Sequence, residues 1–119
     1  MLKLFATKGT ISVAVALVLE EIEADYELCL IDFAANEQRS QAYLEVNPKG
    51  RVPALVTAGG ILTETAAMLE YIAPHLLPKD AFECAKHREI SYYFAATMHL
   101  NHAHKLRGYR WADLETSYE

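Results

Sequence analysis

The sequence predicts an α/β fold: a βαβαββα unit built on a mixed four-stranded sheet, followed by one long helix. Three observations carry this. Short apolar runs at residues 2–6 and 26–31 flank a long apolar segment free of Gly and Pro, the pattern of a strand–helix–strand start. A Gly59-Gly60 tip between two further short apolar runs marks a hairpin. Residues 82–106 contain neither Gly nor Pro and repeat Ile90, Tyr93, Phe94, Thr97 and Leu100 at helical spacing.

Taken in order, residues 2–6 are closed by Lys8-Gly9 and read as a buried strand. The helix at 13–22 is apolar nearly all round in its first two turns, so it is expected to be covered on most sides, with Ser12 as its N-cap. Residues 26–31 alternate between Asp25 and Asp32 as a second strand, and a right-handed crossover makes it parallel to the first. Residues 40–46 carry a weak helical pattern that ends at the turn formers Asn47-Pro48-Lys49-Gly50. A third strand at 52–56, with Pro53 at its entry, and a fourth at 61–63 are antiparallel neighbours. Thr65 is expected to cap the helix carrying Ala66, Ala67, Leu69, Tyr71 and Ile72, which runs toward Pro74. The long helix is expected to stop at Gly108, before a polar tail. Residues 1–78 form the expected first domain and 79–119 a linker and helical appendage.

Bulk properties exclude several classes. The chain has 119 residues, 52% of them apolar, enough for one core but not for two complete domains. Its 16 acidic and 11 basic residues give a net charge of -5, interspersed along the chain, so nucleic acid is not an expected partner. The most apolar stretch, residues 11–19, is too short for a membrane span and is followed by Glu20, Glu21 and Glu23. No small-residue cleavage site follows it, so a cytoplasmic location is expected. Cys29 and Cys84 form no Cys-x-x-Cys or zinc spacing. Cys29 is read as a small hydrophobe of the second strand and Cys84 as an early helix residue. Of His99, His102 and His104, only the first two share a helix face, so no metal site is expected.

Asn47-Pro48-Lys49-Gly50-Arg51-Val52-Pro53-Ala54-Leu55, followed by Leu62-Thr63-Glu64-Thr65-Ala66-Ala67-Met68-Leu69-Glu70-Tyr71-Ile72, resembles the two signatures of the thioredoxin-like domain of cytosolic glutathione transferases. The chain from Ala81 onward resembles the first helix of that family's all-helical C-terminal domain, most similar to bacterial members. On this resemblance the helical part is the beginning of a truncated all-α domain.

The resemblance implies glutathione as co-substrate, a small hydrophobic electrophile as second substrate, a homodimer, and no metal or redox cofactor. It assigns the backbone of Val52, before a cis Pro53, to the cysteinyl part of glutathione. Glu64 is assigned to the γ-glutamyl ammonium, Thr65 to the α-carboxylate, and Lys49 or Arg51 to the glycyl carboxylate. Each assignment has a plain counterpart: Thr65 as a simple cap, Glu64 as a first-turn acid, Pro53 as a rigid strand entry, and Lys49 as a solvated cation.

A hydroxyl donor near a helix N-terminus favours the thiolate over the thiol, and the candidates are Ser12 first and Thr10 second; their plain counterparts are Ser12 as a helix cap and Thr10 as a loop residue. Bacterial members that use a cysteine carry Lys-Pro-Gly-Ala-Cys-Ser where this chain has Thr7-Lys8-Gly9-Thr10-Ile11-Ser12. Ile11 therefore replaces the cysteine, and Ala6 replaces the tyrosine of other members. By position in the family, Tyr93, His99 and His102 line the second-substrate pocket. Arg107, Tyr109, Arg110 and Trp111 form a basic and aromatic cluster. Conjugation is the leading reading; a glutathione-binding or protein-interaction module without turnover, or a piece of a longer transferase, are the alternatives.

Overall fold

The structure, a computed structural model, describes residues 1–107, with side chains through Ala103. The expected helix stop at Gly108, the polar tail, the His104 side chain and the cluster around Trp111 lie outside the described residues. The chain forms two compact units, Met1–Leu76 and a second beginning at Leu77.

In the first unit, β1 (Leu2–Ala6) lies between β2 (Tyr26–Leu30) and β3 (Ala54–Thr57), and β4 (Gly60–Leu62) pairs with the far side of β3. β1 runs parallel to β2, with Leu2 opposite Tyr26 and Ala6 opposite Leu30. It runs antiparallel to β3, with Lys3 opposite Val56 and Phe5 opposite Ala54. β3 and β4 are antiparallel, with Thr57 opposite Gly60. This is the mixed four-stranded sheet that the sequence predicts.

Alternation along β1 sends Leu4 and Ala6 to one face, where Leu55 of β3, Val15 and Leu19 of α1 (Ser12–Glu21) and Met68 of α3 (Thr65–Ile72) complete the core. Leu4, Leu19 and Leu55 are fully buried, each contributing about 2 kcal/mol of transfer free energy. Phe5 points to the opposite face and meets Tyr43 of α2 (Gln41–Val46), ring centroids 5.5 Å apart. Helices thus cover both faces of the sheet.

Several local expectations are corrected. α1 buries only the stripe of Ser12, Val15 and Leu19; Val13 and Leu17 are exposed. Ser12 is not the N-cap but the first helical residue, because its side chain turns back to the preceding loop; the N-cap is Ile11, without a side-chain bond. Thr65 likewise opens α3 from inside, and the N-cap is Glu64. β3 starts at Ala54, after a cis Val52–Pro53 peptide. Its hairpin closes one residue early because Thr57 Oγ1 accepts the Gly59 N–H (3.1 Å) and donates to the Gly60 carbonyl (2.8 Å).

In the second unit, Asp80 caps α4 (Ala81–Tyr93) by accepting the Glu83 N–H at 3.0 Å. The expected single helix is interrupted by a π-helical turn, Phe94–Met98, before α5 (His99–Arg107). No helix among the described residues is long and apolar enough to cross a membrane.

Candidate functional site

The turn after α2 is organised by Asn47, which is buried. Its Oδ1 accepts the Lys49 N–H (3.2 Å), its carbonyl accepts the Gly50 N–H (2.9 Å), and its Nδ2 donates to the Arg51 carbonyl (2.8 Å). The Tyr43 hydroxyl donates to the same Arg51 carbonyl at 2.6 Å. Burial pushes the Tyr43 phenol up to about 12, so it remains a donor at neutral pH. Gly50 holds φ +62, and a Cβ there would stand 2.9 Å from the Gln38 carbonyl oxygen. The turn delivers a half-buried Val52 into the cis bond with buried Pro53. Neither the N–H nor the C=O of Val52 makes a hydrogen bond among the described residues, and such groups call for a partner.

The second part of the site is the junction between β4 and α3. Glu64 is exposed and sits at φ 72, ψ 115, an uncommon backbone region for a residue with a side chain. Thr65 follows as the first residue of α3, and its hydroxyl has no partner among the described residues. The positive end of the helix and this hydroxyl favour an anion here. Lys49 Nζ donates to Glu64 Oε1 (3.2 Å) and to Thr63 Oγ1 (3.3 Å), so the two parts of the site are adjacent.

The third part is the loop from β1 to α1. Ser12 is fully buried; its Oγ accepts the Thr7 N–H (3.0 Å), lies 3.1 Å from the Thr7 carbonyl and 2.5 Å from Thr10 Oγ1. Thr10, half-buried, donates to the Thr7 carbonyl at 2.7 Å. Ala6 is buried and Ile11 is exposed. Beside this loop, at the carboxyl ends of the parallel strands, an open cleft of about 310 Å3 is lined by Thr7, Lys8, Leu30, Asp32 and Phe33, among others. Sequence reasoning missed Tyr43, which carries no chemical signal, and read Asn47 only as a turn former that opens the first signature.

Tyr93, His99 and His102 are exposed residues of the second unit, on either side of the π turn. Among the described residues no three His, Cys, Asp or Glu side chains are grouped to hold a metal ion. Cys29 is half-buried on β2, and burial together with its contact to Glu27 (3.5 Å) raises its thiol, which disfavours a reactive thiolate. Cys84 is half-buried in α4.

A βαβαββα unit whose third strand is entered through a cis-proline, with an acid and a hydroxyl opening its last helix, is a thioredoxin-like domain. Residues 1–74 match the family described as "Glutathione S-transferase, N-terminal domain". The chain belongs to the glutathione S-transferase family. It is 33% identical to glutathione S-transferase GstA of Escherichia coli O157:H7 over 106 residues, covering 82% of this chain and 53% of that protein. It is 37% identical to a probable maleylacetoacetate isomerase of Caenorhabditis elegans over 84 residues, 66% of this chain and 38% of that one. A crystal structure of a glutathione transferase homologue from Sulfitobacter, with bound glutathione, superposes with a TM-score of 0.92 at 49% identity, over 99% of this chain and 60% of that one. The chain thus spans less than two thirds of the length of each of these relatives.

Proposed function

We propose that this protein binds glutathione and conjugates its thiolate to a small hydrophobic electrophile. The observation that carries the binding part is the unpaired Val52 backbone, in a turn that Lys49 ties to Glu64 and hence to the open end of α3. An extended peptide pairs with Val52 as with a strand edge. Glu64 meets its ammonium, the Thr65 hydroxyl and helix end meet its α-carboxylate, and Lys49 meets its far carboxylate. The relative from Sulfitobacter, crystallised with glutathione, supports this reading.

For conjugation, the thiol proton leaves to solvent, the thiolate sulfur bonds to an electrophilic carbon, and that carbon's leaving group or π electron pair is displaced. A chain of hydrogen bonds would support the anion: the Thr7 N–H donates to Ser12 Oγ, the Ser12 O–H donates to Thr10 Oγ1, and the Thr10 O–H turns from the Thr7 carbonyl, where it stands at 2.7 Å, to the sulfur. The buried Ser12 then acts through Thr10, which is the hydroxyl open to the ligand. Tyr93, His99 and His102 would line the electrophile pocket, and we read the enzyme as a cytoplasmic homodimer. The second reading, binding without turnover, is favoured by Ala6 and Ile11 in the activators' places.

Calorimetric titration with glutathione, followed by a turnover assay with a generic aromatic electrophile, separates these readings. Turnover that drops in both Ser12→Ala and Thr10→Ala supports the enzyme; binding without turnover supports the module; absence of binding sinks both.

A further inference from the structure

We propose that Tyr43 and Asn47 are positioning residues for the ligand-pairing edge, acting from behind on the peptide unit that presents the Val52 N–H. The inference rests on the reading of Val52 as the backbone partner of glutathione. The carbonyl of Arg51 and the N–H of Val52 belong to one planar trans peptide, since the cis bond is the next one along, so fixing the direction of the first fixes that of the second. The carbonyl accepts two donors, Tyr43 Oη at 2.6 Å and Asn47 Nδ2 at 2.8 Å, which engage both of its lone pairs. The N–H on the opposite edge of the same plane is left without a partner among the described residues.

Both donors are themselves held. Tyr43 and Asn47 are one helical turn apart, and the Asn47 N–H donates to the Tyr43 carbonyl at 2.8 Å. The Tyr43 ring packs against Phe5 of the central strand, which ties the peptide to the most deeply paired strand of the sheet. The arrangement keeps the N–H aimed before any ligand arrives, so less ordering remains to be done on binding.

The test uses the full chain and the variants Tyr43→Phe, which keeps the ring, and Asn47→Asp, which keeps the acceptor for Lys49 N–H but loses the donor. Each is expected to weaken glutathione binding by about five- to tenfold. A merely structural role would not single out one amide, so the Val52 amide resonance in nuclear magnetic resonance spectra is the discriminating readout. It is expected to shift and broaden in either folded variant, to sharpen again at saturating glutathione, and to leave the amides of Leu4, Val15 and Met68 in place. Tyr26→Phe, which removes an exposed hydroxyl bond to Glu20, serves as a control with unchanged affinity. Affinity equal to wild type, or an unperturbed Val52 amide in both variants, overturns the proposal. Absence of binding by the wild-type chain instead overturns the functional reading beneath it.

Discussion

Lys49 and Glu64 hold each other, Nζ to Oε1 at 3.2 Å. Their side chains are 52% and 68% exposed, so the pair contributes at most about 1 kcal/mol and yields readily to an incoming ligand. On the proposed binding mode, a zwitterionic peptide would resolve the pair by substitution, its ammonium taking Glu64 and Lys49 turning toward a carboxylate.

The first expectation concerns this exchange. Glu64→Gln should weaken glutathione binding by about tenfold or more, the loss of a charge-assisted hydrogen bond. Lys49→Ala should leave unfolding free energy within about 0.5 kcal/mol of wild type. Titrations at low and high salt check the electrostatic origin, because wild-type affinity should fall with added salt and that of Glu64→Gln should fall less.

On the proposed reading, Glu64 sets function against stability. Its backbone at φ 72, ψ 115 is costly for a residue with a Cβ and easy for glycine. Glu64→Gly is therefore expected to raise stability by about 1 kcal/mol in urea unfolding while glutathione affinity falls.

Gly50 should tolerate no side chain. Gly50→Ala combines a left-handed backbone with a contact of 2.9 Å to a main-chain oxygen that cannot swing aside. A loss of about 1–3 kcal/mol is expected by thermal or denaturant unfolding.

Much of the sheet was legible because periodicity reports which face a residue uses: the 2–6 run and the 13–22 segment read directly as β1 and α1. Helix starts were less so. Ser12 and Thr65 are good capping types, but type does not reveal where the backbone first turns helical, and both lie one residue inside. The π turn was invisible because the spacing of Ile90, Tyr93, Phe94, Thr97 and Leu100 reports helix but not which carbonyl each N–H meets. At the candidate site, Glu64 and Thr65 were singled out by the resemblance of residues 62–72 to the family's second signature. The grip of Tyr43 and Asn47 on the Arg51 carbonyl was not: Asn47 stands in the first signature only as a turn former, and nothing in the sequence marks Tyr43 as its partner.

The two loop hydroxyls should separate by variant. Ser12→Ala leaves the Thr7 N–H without its acceptor, at a cost of about 1–3 kcal/mol in stability. Thr10→Val keeps the shape, should cost less in unfolding, and should lower turnover at unchanged glutathione affinity.

Alkaline pH should destabilise the protein through Tyr43. Its folded value of about 12 exceeds the ordinary 10.0, so the unfolded chain gives up its proton first. Stability is then full below pH 10 and declines between pH 10 and 12, by about 2–3 kcal/mol. Denaturant midpoints across that range should show the decline in wild type and a shallower one in Tyr43→Phe.

The strand order β2-β1-β3-β4 also dictates a sequence of events during synthesis. The first strand, its helix and the second strand leave the ribosome early and pair locally, but the other edge of β1 waits for Ala54–Thr57. Until those residues emerge, Lys3, Leu4 and Phe5 present an open row of backbone donors and acceptors to any passing chain. Nascent chains arrested before the third strand should therefore be the most aggregation-prone and the most dependent on chaperones.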